Sequence, residues 1–257
     1  MSLANRQRQS GSIARRFGRH AQHYERNALL QREAAETLAS LIAPEGHLPG
    51  EGPVVEIGCG TGLFTSLVAQ KNRPYLATDI APEMVAACRA RFATAASMDF
   101  TVMDGQAMHF TRPPEWIVSN LVFQWFTDPA RTISELACQT ETLAFSVLVH
   151  GSFPEWHSAF ADIGRRSGLF PLPEASPLLA ALPSTMAVRH EVRTHTLRYE
   201  NATAFVHSFR GIGADQPRPG YRPAPIRPIL ERFAQGMTAT AKVLYCVAEH
   251  KRGDQEA

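Results

Sequence analysis

The sequence predicts an α/β protein with a mostly parallel, seven-stranded sheet and helices on both faces. Three observations predict it. Apolar runs of strand length alternate with helix-like stretches between residues 53 and 149. The first run, VVEI, ends on a glycine-rich turn with Gly58, Gly60 and Gly62. Acids stand at or just after the ends of the first three runs, at Glu56, Asp79 and Asp104. Crossovers between such strands are right-handed.

Residues 1–12 are polar with no periodic apolar face and are expected to be disordered. Residues 13–43 carry Ala28, Leu30, Ala34, Leu38, Leu41 and Ile42 near helical spacing, which predicts an N-terminal lid helix. Pro44, Gly46, Pro49 and Gly50 then break the chain. A cofactor-type core, 53–150, follows. Its elements are strand 53–57, helix 63–70, strand 74–79, helix 82–92, strands 99–103 and 115–120, helix 128–138 and strand 142–149. The texture changes at Gly151, where a lid or substrate region, 151–236, begins. FPEWHSAFADIGRR predicts a helix, and 168–185, rich in proline and small residues, predicts a loop or lid. His190 to Tyr199 alternates as a strand does, and Asn201 to Ile212 reads as a helix capped by Asn201. Gly213 to Pro225 holds four prolines and little periodicity. A helix, Ile226 to Gly236, precedes a final strand at Lys242 to Ala248 within the closing segment 237–250. Residues 251–257 form a tail, and no internal repeat is visible.

At 257 residues the chain suits one such domain, 13–250, large enough to bury a core without staples. A net charge of +2 gives no global attraction to nucleic acid, and no nucleic-acid motif is present. No apolar run is long enough to span a membrane, and the basic, polar N-terminus lacks the apolar core of a secretory signal. Cys59, Cys88, Cys138 and Cys246 are scattered without metal-binding spacing, which points to reduced thiols in a cytoplasm and to no metal. Cys59 reads as a small side chain that fits the turn, rather than as a nucleophile.

A glycine turn lets backbone approach a ligand closely, and the helix behind it favours a polar or anionic group. Here the spacing is G-x-G-x-G, not the G-x-G-x-x-G of dinucleotide sites. Glu56, inside the motif, would repel a pyrophosphate but tolerates the sulfonium and ammonium of S-adenosyl-L-methionine. The stretch VVEIGCGTG, with Asp79, resembles the first motifs of class I S-adenosylmethionine-dependent methyltransferases, whose fold is Rossmann-like. That resemblance implies that Glu56 supports the methionyl end and that the glycine turn lies beneath the cofactor. Asp79 can accept both ribose hydroxyl hydrogens, and Asp104 falls where such enzymes contact the adenine. Ile80 and Met84, after Asp79, and Gly105, after Asp104, count with the cofactor contacts. The bland alternative for either Asp is a turn former or helix cap, as Asp79 precedes APEMVAACRARF.

Further segments narrow the resemblance. FGRHAQHY at Phe17 to Tyr24 with Gln31, SNLVFQW at Ser119 to Trp125, GSFPEWH at Gly151 to His157, and FRGIGA at Phe209 to Ala214 are similar to the malonyl-acyl-carrier-protein O-methyltransferases of biotin synthesis. The similarity covers roughly residues 13 to 250. It implies methyl transfer to the free carboxylate of a malonyl thioester, on acyl carrier protein or on coenzyme A. Such a carboxylate is ionised at neutral pH and needs no general base. That agrees with the lack of a Cys/His or Ser/His/Asp constellation. The work left to the enzyme is alignment and exclusion of water.

The family resemblance also assigns side chains. Tyr24 and Gln31 of the lid face the cofactor, with an edge-of-core or solvated position as the alternative. Asn120 contacts the cofactor or simply turns the strand end. Gln124 hydrogen-bonds substrate, and Trp125 supplies an apolar wall near the sulfonium or ordinary packing. Arg210 holds the malonyl carboxylate or the thioester carbonyl, or is a cation at a helix C-terminus. Tyr24, Gln124 and Arg210 are thus the catalytic set.

An acidic carrier protein needs basic surface. Candidates are Arg6, Arg8, Arg15, Arg16, Arg19 and Arg26, then Arg189, Arg193 and Arg198, then Arg218, Arg222 and Arg227. The chain departs from the wider class where ACQTETLAF replaces a glycine-rich turn before the fifth strand. It carries Arg210 where some relatives use Lys. Three rival readings stay open: a methyltransferase for another small acid or metabolite, a non-enzymatic assembly protein on the same fold, and a nicotinamide-dependent reductase.

Overall fold

The structure, a computed structural model, describes residues 11, 13–18, 28–212, 214 and 220–251. Tyr24, Gly213, most of the 1–12 segment and most of the 251–257 tail lie outside the described residues. Residues 13–18 are helical. The elements that follow are α1 (Leu29–Ile42), β1 (Val54–Ile57), α2 (Thr65–Val68), β2 (Tyr75–Asp79), α3 (Pro82–Arg91), β3 (Met98–Val102), β4 (Trp116–Asn120), α4 (Pro129–Ala137) and β5 (Thr142–Leu148). Beyond them come α5 (Pro154–Asp162), α6 (Ala175–Ala180), β6 (Met186–Tyr199), α7 (Ala202–Gly211), α8 (Arg227–Arg232) and β7 (Met237–His250).

The strands form one seven-stranded sheet in the order β3-β2-β1-β4-β5-β7-β6. The pairs from β3 through β5 are parallel, and β7 enters antiparallel between β5 and β6. Strand order reverses beside β1, so a crevice opens at the carboxyl ends of β1 and β4, where α/β sheets bind ligands. Alternate residues of each strand serve opposite layers. Val54, Tyr75, Trp116 and Ala144 pack with α1 and α5, while Val55, Ile57, Ile117 and Phe145 pack with α4 and Leu178 of α6. Glu56 shares the Val54 face, which decides its surroundings.

Several elements differ from the sequence expectation. The helix after the glycine turn spans only Thr65–Val68, because the turn itself continues through Phe64. A helix, α6, lies inside the expected loop 168–185, and it buries Leu178. β7 begins at Met237, not Lys242. Met237, Ala239 and Ala241 are buried while Thr238 and Lys242 are exposed, so a period-two strand is written there in small residues. β6 begins at Met186 and is an exposed edge carrying Arg, His and Glu, charges of the kind that discourage edge pairing. Asn201 does cap α7, its side chain accepting from the Ala204 N–H at 2.9 Å.

Candidate active site

The glycine turn is fixed from below. The Gly58 and Cys59 N–H groups both donate to the Thr78 carbonyl at 2.8 Å. Gly58 has φ +75°, and a Cβ there would lie 2.2 Å from Cγ2 of Val122. Only glycine meets both conditions. Asp79, at the end of β2, braces the turn from the side. Its Oδ2 accepts from the Gly60 N–H at 3.0 Å and its Oδ1 from the Ala81 N–H at 2.8 Å. Burial pushes its carboxyl up to about 6, against the pull of those N–H groups. A carboxylate offers about four lone-pair sites, so with the Ala81, Gly60 and Ile80 N–H groups engaged it still has room for a hydroxyl.

Asp79, Ile80, Met84, Asp104, Gly105 and Asn120 line a crevice of about 80 Å³ with Gly58 and Gly60. Among the described residues, its lining contains two carboxylates and no Arg or Lys side chain. That composition suits a cationic ligand bearing hydroxyls and is hostile to a polyphosphate. S-adenosyl-L-methionine therefore fits the donor set, with Gly58 supplying the close backbone approach.

At Phe17, Leu121 and Trp125 the crevice adjoins a second cavity of about 730 Å³. Small-molecule sites run to roughly 300–1,000 Å³. Phe17 and Trp125 meet edge-to-face, with centroids 5.6 Å apart, and the Phe170 ring centroid lies 6.0 Å from that of Trp125. Leu121 holds φ +53°, a left-handed conformation that is costly for leucine. Its N–H reaches both the carbonyl and the hydroxyl of Ser146 at 3.0 Å, and the Ser146 hydroxyl donates to Asn120 Oδ1 at 2.6 Å. The corner between crevice and cavity is thus held by β5.

The chain matches the methyltransferase domain family over residues 54–140. Over 260 residues it is 32% identical to the malonyl-[acyl-carrier protein] O-methyltransferase of Magnetococcus marinus, covering 95% of both chains. The chain belongs to the malonyl-[acyl-carrier protein] O-methyltransferase family. The methyltransferase is also 34% identical, over 94% of its length, to the bifunctional biotin biosynthesis protein BioCD of Bordetella avium, and it spans about half of that longer relative (53%). Among solved structures, the Haloferax volcanii protein crystallised with the Trm112 methyltransferase activator superposes with a TM-score of 0.56 at 17% identity. That alignment covers 95% of this chain and all of the other, and it speaks for the fold alone.

The methyltransferase separates its sequence-predicted site residues into groups. Trp125 lines both the crevice and the cavity, while Gln31 and Gln124 line the cavity only. The Gln31 carbonyl accepts from Asn120 Nδ2 at 3.0 Å, which ties α1 to the end of β4. Both ends of the Gln124 amide are engaged by backbone, at the Leu121 carbonyl and the Leu148 N–H. Asp104 Oδ1 caps a short turn through the Gln106 N–H at 3.0 Å. Gly62 lies behind the turn, where a Cβ would come within 2.7 Å of the Phe92 ring.

Glu56 lies outside the crevice lining. It is fully buried in the layer beneath the turn, where Thr65 and Tyr75 hydroxyls donate to Oε2 at 2.6 and 2.9 Å. Its Oε1 has no partner, and burial pushes the carboxyl up to about 7. It supports the turn from underneath.

Arg210 is exposed and lines neither cavity. α7 turns Phe205, Ser208 and Phe209 inward, and position 210 falls about 200° from 208 at 100° per residue. Arg210 is the basic residue in the last turn of α7 and is not brought into either cavity lining. Sequence reasoning missed Leu121, Phe17 and Phe170. Phe17 and Leu121 sit in the quoted segments FGRHAQHY and SNLVFQW, but nothing in the residue types marks them as a junction.

Proposed function

We propose that this methyltransferase transfers a methyl group from S-adenosyl-L-methionine to the free carboxylate of a malonyl thioester carried by acyl carrier protein, in a cytoplasmic biosynthetic setting. The observation that carries this reading is the similarity to the Magnetococcus marinus enzyme across 95% of both chains. The crevice supports the donor, through two lining carboxylates with no Arg or Lys among its described lining residues, and a turn open to close approach. When bound, the donor supplies an electrophilic methyl group.

The chain's own residues hold and shield. Asp79 orients the ribose, and its carboxylate is kept in place by the Gly60 and Ala81 N–H groups. Phe17, Leu121 and Trp125 form an apolar junction at which the malonyl end meets the donor. Loss of water there raises the reactivity of an already ionised carboxylate. No residue has to remove a proton.

The test incubates the purified protein with malonyl carrier protein and methyl-labelled donor. Label should appear in a base-labile ester on the malonyl arm. Absence of transfer to every malonyl thioester, or equal transfer to an acetyl carrier protein, refutes the reading.

A further inference from the structure

The larger cavity is apolar where it joins the cofactor crevice and basic where it meets solvent. Six of its seven exposed lining residues come from one short segment, His150, Pro154, His157, Ala161, Arg165 and Arg166; the seventh is Pro171. Positions 154, 157 and 161 share one face of α5, which ends at Asp162, and Arg165 and Arg166 follow the turn at Gly164, φ +67°. None of the six lines the cofactor crevice. A chain-like substrate with its reactive end at Trp125 therefore leaves the protein past this face.

Charge on this face is unbalanced. Arg165 and Arg166 have no carboxylate partner among the described residues. Lys242 adds a third cation, since a Cβ on Gly151 of the cavity wall would lie 3.2 Å from its Nζ. The nearby acids are engaged: Glu155 accepts from the Thr240 N–H and hydroxyl, Asp162 pairs with Arg232, and Glu174 faces His150 at 3.6 Å. Of the basic residues singled out from sequence, Arg6, Arg8, Arg19, Arg26 and Arg218 lie outside the described residues, and three of the described ones are paired. Arg189 meets Glu249 at 3.1 Å, Arg193 meets Glu191 at 2.7 Å and Arg227 meets Glu231 at 2.7 Å.

We propose that this rim, Arg165 and Arg166 with Lys242, is the docking surface for an acidic carrier protein, whose thioester arm enters the cavity beside α5. The inference rests on malonyl carrier protein being the substrate. Unpaired rim cations act on encounter and orientation more than on chemistry, and their effect falls with salt.

The experiment compares kcat/KM for malonyl carrier protein with kcat/KM for malonyl-pantetheine, which keeps the thioester and lacks the protein. Arg165→Glu with Arg166→Glu should lower that ratio about tenfold, through KM and not kcat, as expected for two reversed surface charges. Arg165→Lys with Arg166→Lys should hold the ratio within about twofold. Arg189→Glu, on the far edge strand, should leave it alone. A ratio unmoved by the double reversal, or lowered as much by Arg189→Glu, overturns the docking face while leaving the malonyl assignment intact. A wild-type protein inactive on both substrates removes the assignment itself, and the docking face with it.

Discussion

Gly58→Ala is the sharpest perturbation of the cofactor turn. Two costs arise at once. The backbone sits at φ +75°, which costs a residue with a Cβ about 1–2 kcal/mol. The new Cβ would also lie 2.2 Å from Cγ2 and 3.2 Å from Cγ1 of Val122, and overpacking of that kind costs about 1–3 kcal/mol. The turn cannot rotate away cheaply, because the Gly58 and Cys59 N–H groups share the Thr78 carbonyl. A destabilisation of about 2–5 kcal/mol is expected, read from urea unfolding followed by circular dichroism with m unchanged. Val122→Ala in the same chain separates the two costs. It relieves the contact and leaves the backbone penalty, so the double-mutant cycle should show a coupling of about 1–3 kcal/mol. A Gly58→Ala protein within about 0.5 kcal/mol of wild type refutes the reasoning. Zero coupling would show that Val122 is not what excludes the Cβ.

The buried carboxylates give a pH signature. Glu56 and Asp79 have folded values raised above their ordinary range, to about 7 and about 6. The folded protein therefore holds protons that the unfolded chain has lost, and stability without donor should fall as pH rises from about 4 to about 7, then level off. Glu56→Gln should remove the part between 4.5 and about 7, an effect of order 3 kcal/mol at higher pH; an unaltered slope in pH-dependent unfolding sinks the idea. Donor affinity should rise with pH through about 6, because the ionised Asp79 is the form that accepts hydroxyl hydrogens. Asp79→Ala should weaken donor binding by about 1–3 kcal/mol in calorimetry. Unchanged affinity would mean the ribose is held elsewhere.

The crevice at the strand ends was legible because its signals are local. A strand buried on both faces, a turn that admits only glycine and acids at strand ends are each written in a few adjacent residues. Asp79, Ile80, Met84, Asp104 and Gly105 consequently line one crevice. The substrate half was less legible because its signals depend on phase and on distant partners. Arg210 lies in a segment of the right character, but helix geometry turns its neighbours Ser208 and Phe209 inward and leaves it in solvent. Glu56 stands in the right motif, yet strand alternation sends it beneath the turn. The start of β7 was hidden because alanines at 239 and 241 carry little hydrophobic contrast against threonine. Arg165 and Arg166 look like ordinary surface charge until the chain brings them to the mouth of a cavity.

The most direct measurement supplies a donor with a ¹³C-labelled methyl group and malonyl carrier protein, then locates the label on the detached arm by mass spectrometry and NMR. The account predicts one labelled methyl ester at the distal carboxylate of the malonyl group. Label on any other atom of the arm or carrier, or none after prolonged incubation, would contradict it.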